Sequence, residues 1–153
     1  MALTAGQIPK VANVPNGGVA LIAASSNTVT LGSNTNGASA YTAAATYGGR
    51  VESLTAVTDD TVTVNVFVWI LRSATVIPLG LVNVPLSSGN TPNAARFNVD
   101  FLDGVNILGL PIDNNGKRYI PLMGGDVLRV GALANLTAAK TCWVQASGSD
   151  YQA

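Results

Sequence analysis

Histidine is missing from all 153 residues, which removes both the usual general base near neutral pH and the commonest metal ligand. Ser-His and Cys-His nucleophilic sites are thereby excluded. Cysteine occurs once, as Cys142, so no internal disulfide forms and the fold cannot rely on an oxidising compartment. The thiol is expected to fill core space. Glutamate also occurs once, as Glu52, in a strand-like run whose alternation aims it at solvent. Charge is scarce: 10 % of residues are charged, against roughly a quarter in ordinary soluble domains. Much of the surface must then be Asn, Thr, Ser and Gly, which suits a protein packed among neighbours. Eight basic residues balance eight acidic ones. That leaves no field to steer the chain onto nucleic acid or an anionic membrane, and little self-repulsion to oppose association.

Long apolar runs are also absent. The longest, Val66-Phe67-Val68-Trp69-Ile70-Leu71, falls far short of the ~20 residues a membrane helix needs. The start, Met1 to Lys10, lacks the basic and apolar regions of a secretion signal. A soluble protein made and kept in a cytoplasm is expected.

What is present is β-strand material. Residues 1–18 hold Pro9, Pro15 and Gly17-Gly18, which break regular structure and read as an extended N-terminal arm able to reach a neighbour. Residues 19–153 read as one β-sandwich domain, long enough to bury a core. Val19 to Ala24 and Thr28 to Leu31 are expected to pair as a hairpin, and Gly32 to Ala40 to form a surface loop or to order only against a partner. Val51 to Val57 and Val62 to Leu71, separated by Thr58-Asp59-Asp60-Thr61, predict a second hairpin. In the second of these runs Val62, Val64, Val66, Val68 and Ile70 share one face. Phe67, Trp69 and Leu71 make the other face apolar too, so that end must be covered by a loop, the arm or another subunit. Further strands are expected at Thr75 to Pro85, Arg96 to Phe101, Arg118 to Leu122, Val127 to Leu133 and Thr141 to Ser147, with one helical turn at Leu102 to Ile107. The pattern predicts an all-β, antiparallel, jelly-roll-like sandwich.

No motif carries chemistry. Asp59 with Asp60 reads as turn chemistry and Asp100 with Asp103 as capping of a short turn, with no substrate needed. Asp113-Asn114-Asn115-Gly116 lacks the alternating oxygens and distal Glu of a calcium loop and reads as a turn. Gly17-Gly18, Gly48-Gly49 and Gly124-Gly125 match no phosphate-binding pattern. The Asn135-Leu136-Thr137 sequon is read as chance without a secretion signal. No catalytic residue, cofactor or metal is expected. The aromatics Tyr41, Tyr47, Trp69, Tyr119, Trp143 and Tyr151 would suit a sugar platform only if several shared an exposed face. Trp143 alternates with Cys142 and Val144, so it points with Thr141 and Gln145 onto the polar side of its strand. The expected protein-interface residues are Ile8, Pro9, Val11 and Val14 of the arm, together with Trp69, Trp143 and Tyr151.

Several segments together carry a resemblance. They are Arg50 to Val57, the strand ending in Trp69-Ile70-Leu71, Leu108-Gly109-Leu110-Pro111-Ile112-Asp113, Gly125 to Val130, and Val144 to Tyr151. Over roughly residues 45–151 this pattern of strands and turns resembles the small jelly-roll decoration, or cement, proteins of tailed bacteriophages. The resemblance implies a structural virion protein, made in the host bacterial cytoplasm and bound to the outer surface of the capsid. Its partners would be the major capsid protein and itself, as a dimer or trimer, with no nucleic acid or membrane. The alternatives are a carbohydrate-binding or host-attachment sandwich, or a tail or neck component; an enzyme relying on Asp59, Asp60, Asp100, Asp103 or Asp126 alone is the weakest reading.

Overall fold

A computed structural model describes residues 11–23, 27–32, 36–88 and 98–152. Its strands are β1 (Val11–Ala23), β2 (Ala38–Thr42), β3 (Gly49–Thr58), β4 (Val64–Arg72), β5 (Thr75–Val84), β6 (Val99–Asp100), β7 (Ile120–Leu122), β8 (Val127–Ala132) and β9 (Thr141–Gln152). The described residues contain no helix, so the predicted turn of helix at Leu102 to Ile107 is instead a series of bends. There Asp100 Oδ1 accepts from Leu102 N at 2.8 Å, and Asp103 Oδ1 accepts from Val105 N and Asn106 N.

The strands form two antiparallel sheets packed face to face, one in the order β1-β9-β3-β6 with β7 also on β3, the other β2-β8-β4-β5. First pairs with last throughout: β1 with β9, β2 with β8, β3 with β6 and β7, β4 with β5. The chain is therefore one long two-stranded ribbon wrapped over itself, which is the jelly-roll topology. The ribbon's tip is the β4–β5 hairpin, closed at Arg72↔Thr75. β6 lies against Thr55 and Ala56 and β7 against Gly49 to Val51, so the two together occupy the place of one strand, interrupted by residues 101–119.

Alternation sets the core. In β9, Cys142, Val144 and Ala146 are buried while Trp143, Gln145 and Ser147 are exposed. In β3 a bulge between Val51 and Ser53 leaves Glu52 and Ser53 both outside and returns Leu54 and Ala56 to the interior. Ile22, Leu54, Val66, Val68, Leu128 and Val144 meet between the sheets. Cys142 is fully buried there, as expected of a core thiol.

Four local expectations are corrected. Residues 11–18 are no arm: they form the first part of β1, paired with β9 from Val11↔Gln152 onward, and residues 1–10, including Ile8 and Pro9, lie outside the described residues. The hairpin of Val19 to Ala24 with Thr28 to Leu31 does not form: β1 pairs with β9, and the 27–32 segment runs to the end of β8. Thr28 instead bridges Ala132 at the end of β8, and residues 24–26 are outside the described set. Residues 38–40, expected in a loop, begin β2. Lastly, β3 and β4 are not a hairpin. Each already has neighbours on both edges, so the Asp59-Asp60 corner carries the chain from one sheet to the other.

The outer face of β4 is covered by the chain itself. Val29 N donates to Ala132 O at 2.8 Å and Ala132 N to Asn27 O at 3.0 Å, which lays the 27–32 segment over Phe67 and Trp69. Those two rings stack at 5.0 Å. Gly37 closes the site: a Cβ there would fall 2.2 Å from the Trp69 ring. Trp69 is fully buried, so its assignment as an interface residue is corrected; of the three covers expected for this strand end, the loop is the one found among the described residues.

Candidate functional site

Trp143 is the centre of an apolar cluster on the exposed side of the β1–β9–β3 sheet. The strand register places Leu21 and Val57 on either side of it, and Val19, Gln145 and Thr55 in the adjoining row. Because β-strand side chains alternate, all six project from the same face. Val19 is 57 % exposed, Leu21 54 % and Trp143 37 %, so three large apolar groups stand in water side by side. Val19, Thr55, Val57, Trp143 and Gln145 line, with Asn98, a hollow of about 190 Å³ in which no described residue is charged. The next row, Gly17, Ser147 and Ser53, is small and uncharged as well.

Val14 and Tyr151 are brought together about 25 Å away, at the far end of the same ladder, taking roughly 3.3 Å per residue. They line a hollow of about 260 Å³ with Tyr47, Asp150 and Gln152. Burial raises the Tyr151 phenol above its ordinary value. Beside them Asp150 ties three strands: its Oδ1 accepts from the Tyr41 hydroxyl at 3.0 Å and its Oδ2 from Asn16 Nδ2 at 2.8 Å. Burial, then the neighbouring Asp150 carboxylate, pushes the Tyr41 phenol well up. Val11 pairs with Gln152 at the start of β1. The structure therefore brings Val14 and Tyr151 together, sets Trp143 apart on the same sheet and withdraws Trp69 into the interior.

The candidate carboxylates are engaged with the fold. Asp60 Oδ1 accepts from the Thr137 hydroxyl at 2.6 Å and Val62 N at 3.2 Å, and Oδ2 from Thr137 N at 2.9 Å. Burial alone would raise its pKa, but these donors outweigh it and hold the carboxyl below the ordinary range. Asp59 Oδ1 accepts from Thr141 N at 2.7 Å. Asp126 accepts from Arg72 Nη2 at 2.7 Å and Met123 N at 2.8 Å, and the Arg72 bond, opposed by burial, lowers its pKa. Glu52 is exposed and pairs with Arg50. The Asp113 turn is as expected, Oδ1 accepting from Asn115 N and Lys117 N.

No protein family, curated protein or solved structure matches the chain. The site is thus described by its own geometry. Sequence reasoning found Trp143 but not Val19, Leu21 and Val57. Alternation within residues 19–23 sets Val19 and Leu21 opposite Ala20 and Ile22, which is a local signal. Only the β1–β9–β3 register, spanning the whole chain, sets them beside Trp143.

Proposed function

We propose that the chain is a structural virion protein that decorates the outer surface of a tailed-phage head and strengthens contacts between major capsid protein subunits. The observation that carries the reading is the uncharged apolar face of Leu21, Trp143, Val57 and Val19. Single exposed apolar residues are ordinary, but several grouped around a tryptophan are the usual mark of a protein-docking surface. A chain without net charge approaches a neighbour without long-range repulsion. The partner's identity comes from the resemblance over residues 45–151. The mechanism is mass action: a protein that binds the closed shell better than its separated subunits stabilises the shell, and shell symmetry repeats the site many times.

The test is a count of copies per purified particle, with heads that have and lack the protein challenged by heat and low salt. Hundreds of copies, and earlier rupture without them, are expected. A few copies per particle would instead indicate a tail or neck component. A second expectation concerns the N-terminus. Removing residues 2–18 would strip the first part of β1 and bare that length of β9, so the informative truncation stops at residue 10. The 2–10 deletion is expected to melt within about 2 °C of the full chain, since it touches no described pairing, and to bind heads more weakly. Unchanged affinity in a particle-pelleting assay would remove residues 2–10 from the contact.

A further inference from the structure

We propose that the hollow between β3 and the 112–119 loop binds an acidic sugar residue, a pyranose bearing one carboxylate. In a chain this poor in charge, Arg50, Glu52, Asp113, Lys117 and Arg118 gather around one space of about 220 Å³, with Tyr119 and Asn115 completing its wall. Three of the chain's eight cations are therefore in one place. One oxygen of each carboxylate is already engaged. Glu52 Oε1 takes the Arg50 guanidinium at 2.6 Å, and Asp113 Oδ1 takes the backbone N–H groups of Asn115 and Lys117 at 2.8 and 2.9 Å. The surplus charge is positive and lies at Lys117 and Arg118.

The site is held in shape before any ligand arrives. Ile112 bridges Arg118 and Asp113 N donates to Lys117 O at 2.8 Å, closing the loop that presents Lys117. Arg118 Nη1 donates to Asp103 O at 3.1 Å. Its guanidinium lies against Gly104, where an added Cβ would come 2.3 Å from Cζ. Arg50 sits 5.7 Å over the Tyr119 ring, which fixes that aromatic wall. A carboxylate would meet Lys117 and Arg118 in charge-assisted bonds. The ring hydroxyls would donate to the free oxygen of Glu52 and bond with Asn115, and the apolar sugar face would pack on the exposed part of Tyr119. An acidic peptide suits the site less well. Glu52 and Asp113 would repel its further carboxylates, and at Arg50 the backbone of β3 is already paired on both sides, by β9 and β7.

The test is titration of the full chain with methyl glucuronide, methyl glucoside, inorganic phosphate and a hexaglutamate peptide, followed by backbone amide shifts. Saturable shifts at Asn115, Lys117, Arg118 and Tyr119 with the glucuronide, and none with the neutral glucoside, are expected. Lys117→Glu, an exposed substitution whose melting temperature is read alongside, should weaken glucuronide binding by about tenfold or more, whereas Trp143→Ala should leave it as it is. Absence of shifts, or equal response to the glucoside, overturns the proposal. Phosphate binding as well as the glucuronide would make this a plain anion site, and tighter binding of the peptide would make it a protein-docking surface; either result also overturns it. None of these outcomes depends on where the protein sits on a particle.

Discussion

Replacing Asp60 by alanine is expected to lower the stability of the chain by about 3–5 kcal/mol, a large part of the 5–15 kcal/mol typical of a domain. Asp60 is fully buried, and its two oxygens serve three donors: Val62 N, Thr137 N and the Thr137 hydroxyl. Its own carbonyl accepts from Ser87 N at 2.7 Å, and its N–H donates to Thr58 Oγ1 at 3.1 Å. The β3–β4 corner, the turn after β5 and the loop before β9 are thus fastened at one residue. Truncation leaves the Val62 and Thr137 N–H groups without their acceptor at a part-buried corner, each costing up to about 1–3 kcal/mol where water does not reach it. Asp60→Asn should recover only part of the loss. Either orientation of the amide turns its NH₂ toward a backbone N–H, because Val62 N addresses one oxygen and Thr137 N the other. Urea unfolding of the two variants checks the order, alanine worst and asparagine intermediate. A loss under 1 kcal/mol for alanine would mean that the corner is held elsewhere.

The same carboxylate gives the pH dependence its sign. Native Asp60 and Asp126 both sit below the ordinary value of 3.8. Their contribution is complete at a pH well above that value, and is lost as pH falls through 3.8 toward the native pKa values. Each costs at most about 1.4 kcal/mol per pH unit on that limb. Cys142 acts at the other end. Burial, the larger cause, and the charges of Asp59 and Asp60 push its thiol from 9.0 to about 12, so its contribution is present below pH 9 and lost as pH rises from there. Without histidine, no side chain of ordinary pKa titrates between about pH 5 and 8. Stability should be level across that range and fall on both sides, and Asp60→Asn should flatten the acid limb.

How much of this was legible in the sequence depends on the range of the signal. The alternation of β9 fixed Cys142 inward and Trp143 outward from neighbouring residues alone. The turn roles of Asp100, Asp103 and Asp113 also follow from donors within four residues. The β3–β4 corner misled for the same reason. Two β-branched runs around Asp-Asp carry every local mark of a hairpin, whereas the sheet change is enforced by Thr137, 77 residues beyond Asp60. Pro15 and Gly17-Gly18 read as breakers, yet they lie in β1, where the register opposes Gly17 and Gly18 to Ser147 and Ala146. An added Cβ would fall 2.8 Å from Ala146 O at Gly17 and 2.6 Å from Ala40 O at Gly18, so these glycines admit close strands and do not break one. The cluster at Arg50 and Arg118 was invisible because it is made by β3–β7 pairing, which no local pattern announces.

The two tryptophans provide a paired test, since they occupy opposite situations in one fold. Trp69→Ala is expected to cost about 3–5 kcal/mol, as large-to-small changes at buried aromatics do. It would remove the ring that Phe67 stacks on and Gly37 abuts, leaving Val29 and Leu71 facing a void. Trp69→Phe should cost much less, because it keeps an aromatic on Phe67 and removes the buried indole N–H, which has no hydrogen-bond partner among the described residues. Trp143→Ala should cost only about 1 kcal/mol of stability, the scale of its cross-strand pairs with Leu21 and Val57. Its effect belongs to binding. If the Leu21–Trp143–Val57 face seats on the shell, truncating its central tryptophan removes about 2–4 kcal/mol of association energy, or ~30-fold or more in Kd. The measurement pairs chemical unfolding of the three variants with titration of each onto heads lacking the protein. A Trp143→Ala chain that unfolds like Trp69→Ala would make Trp143 a structural residue. One that is stable and binds heads at full affinity would move the contact off this face, leaving the Val14–Tyr151 hollow as the next surface to probe.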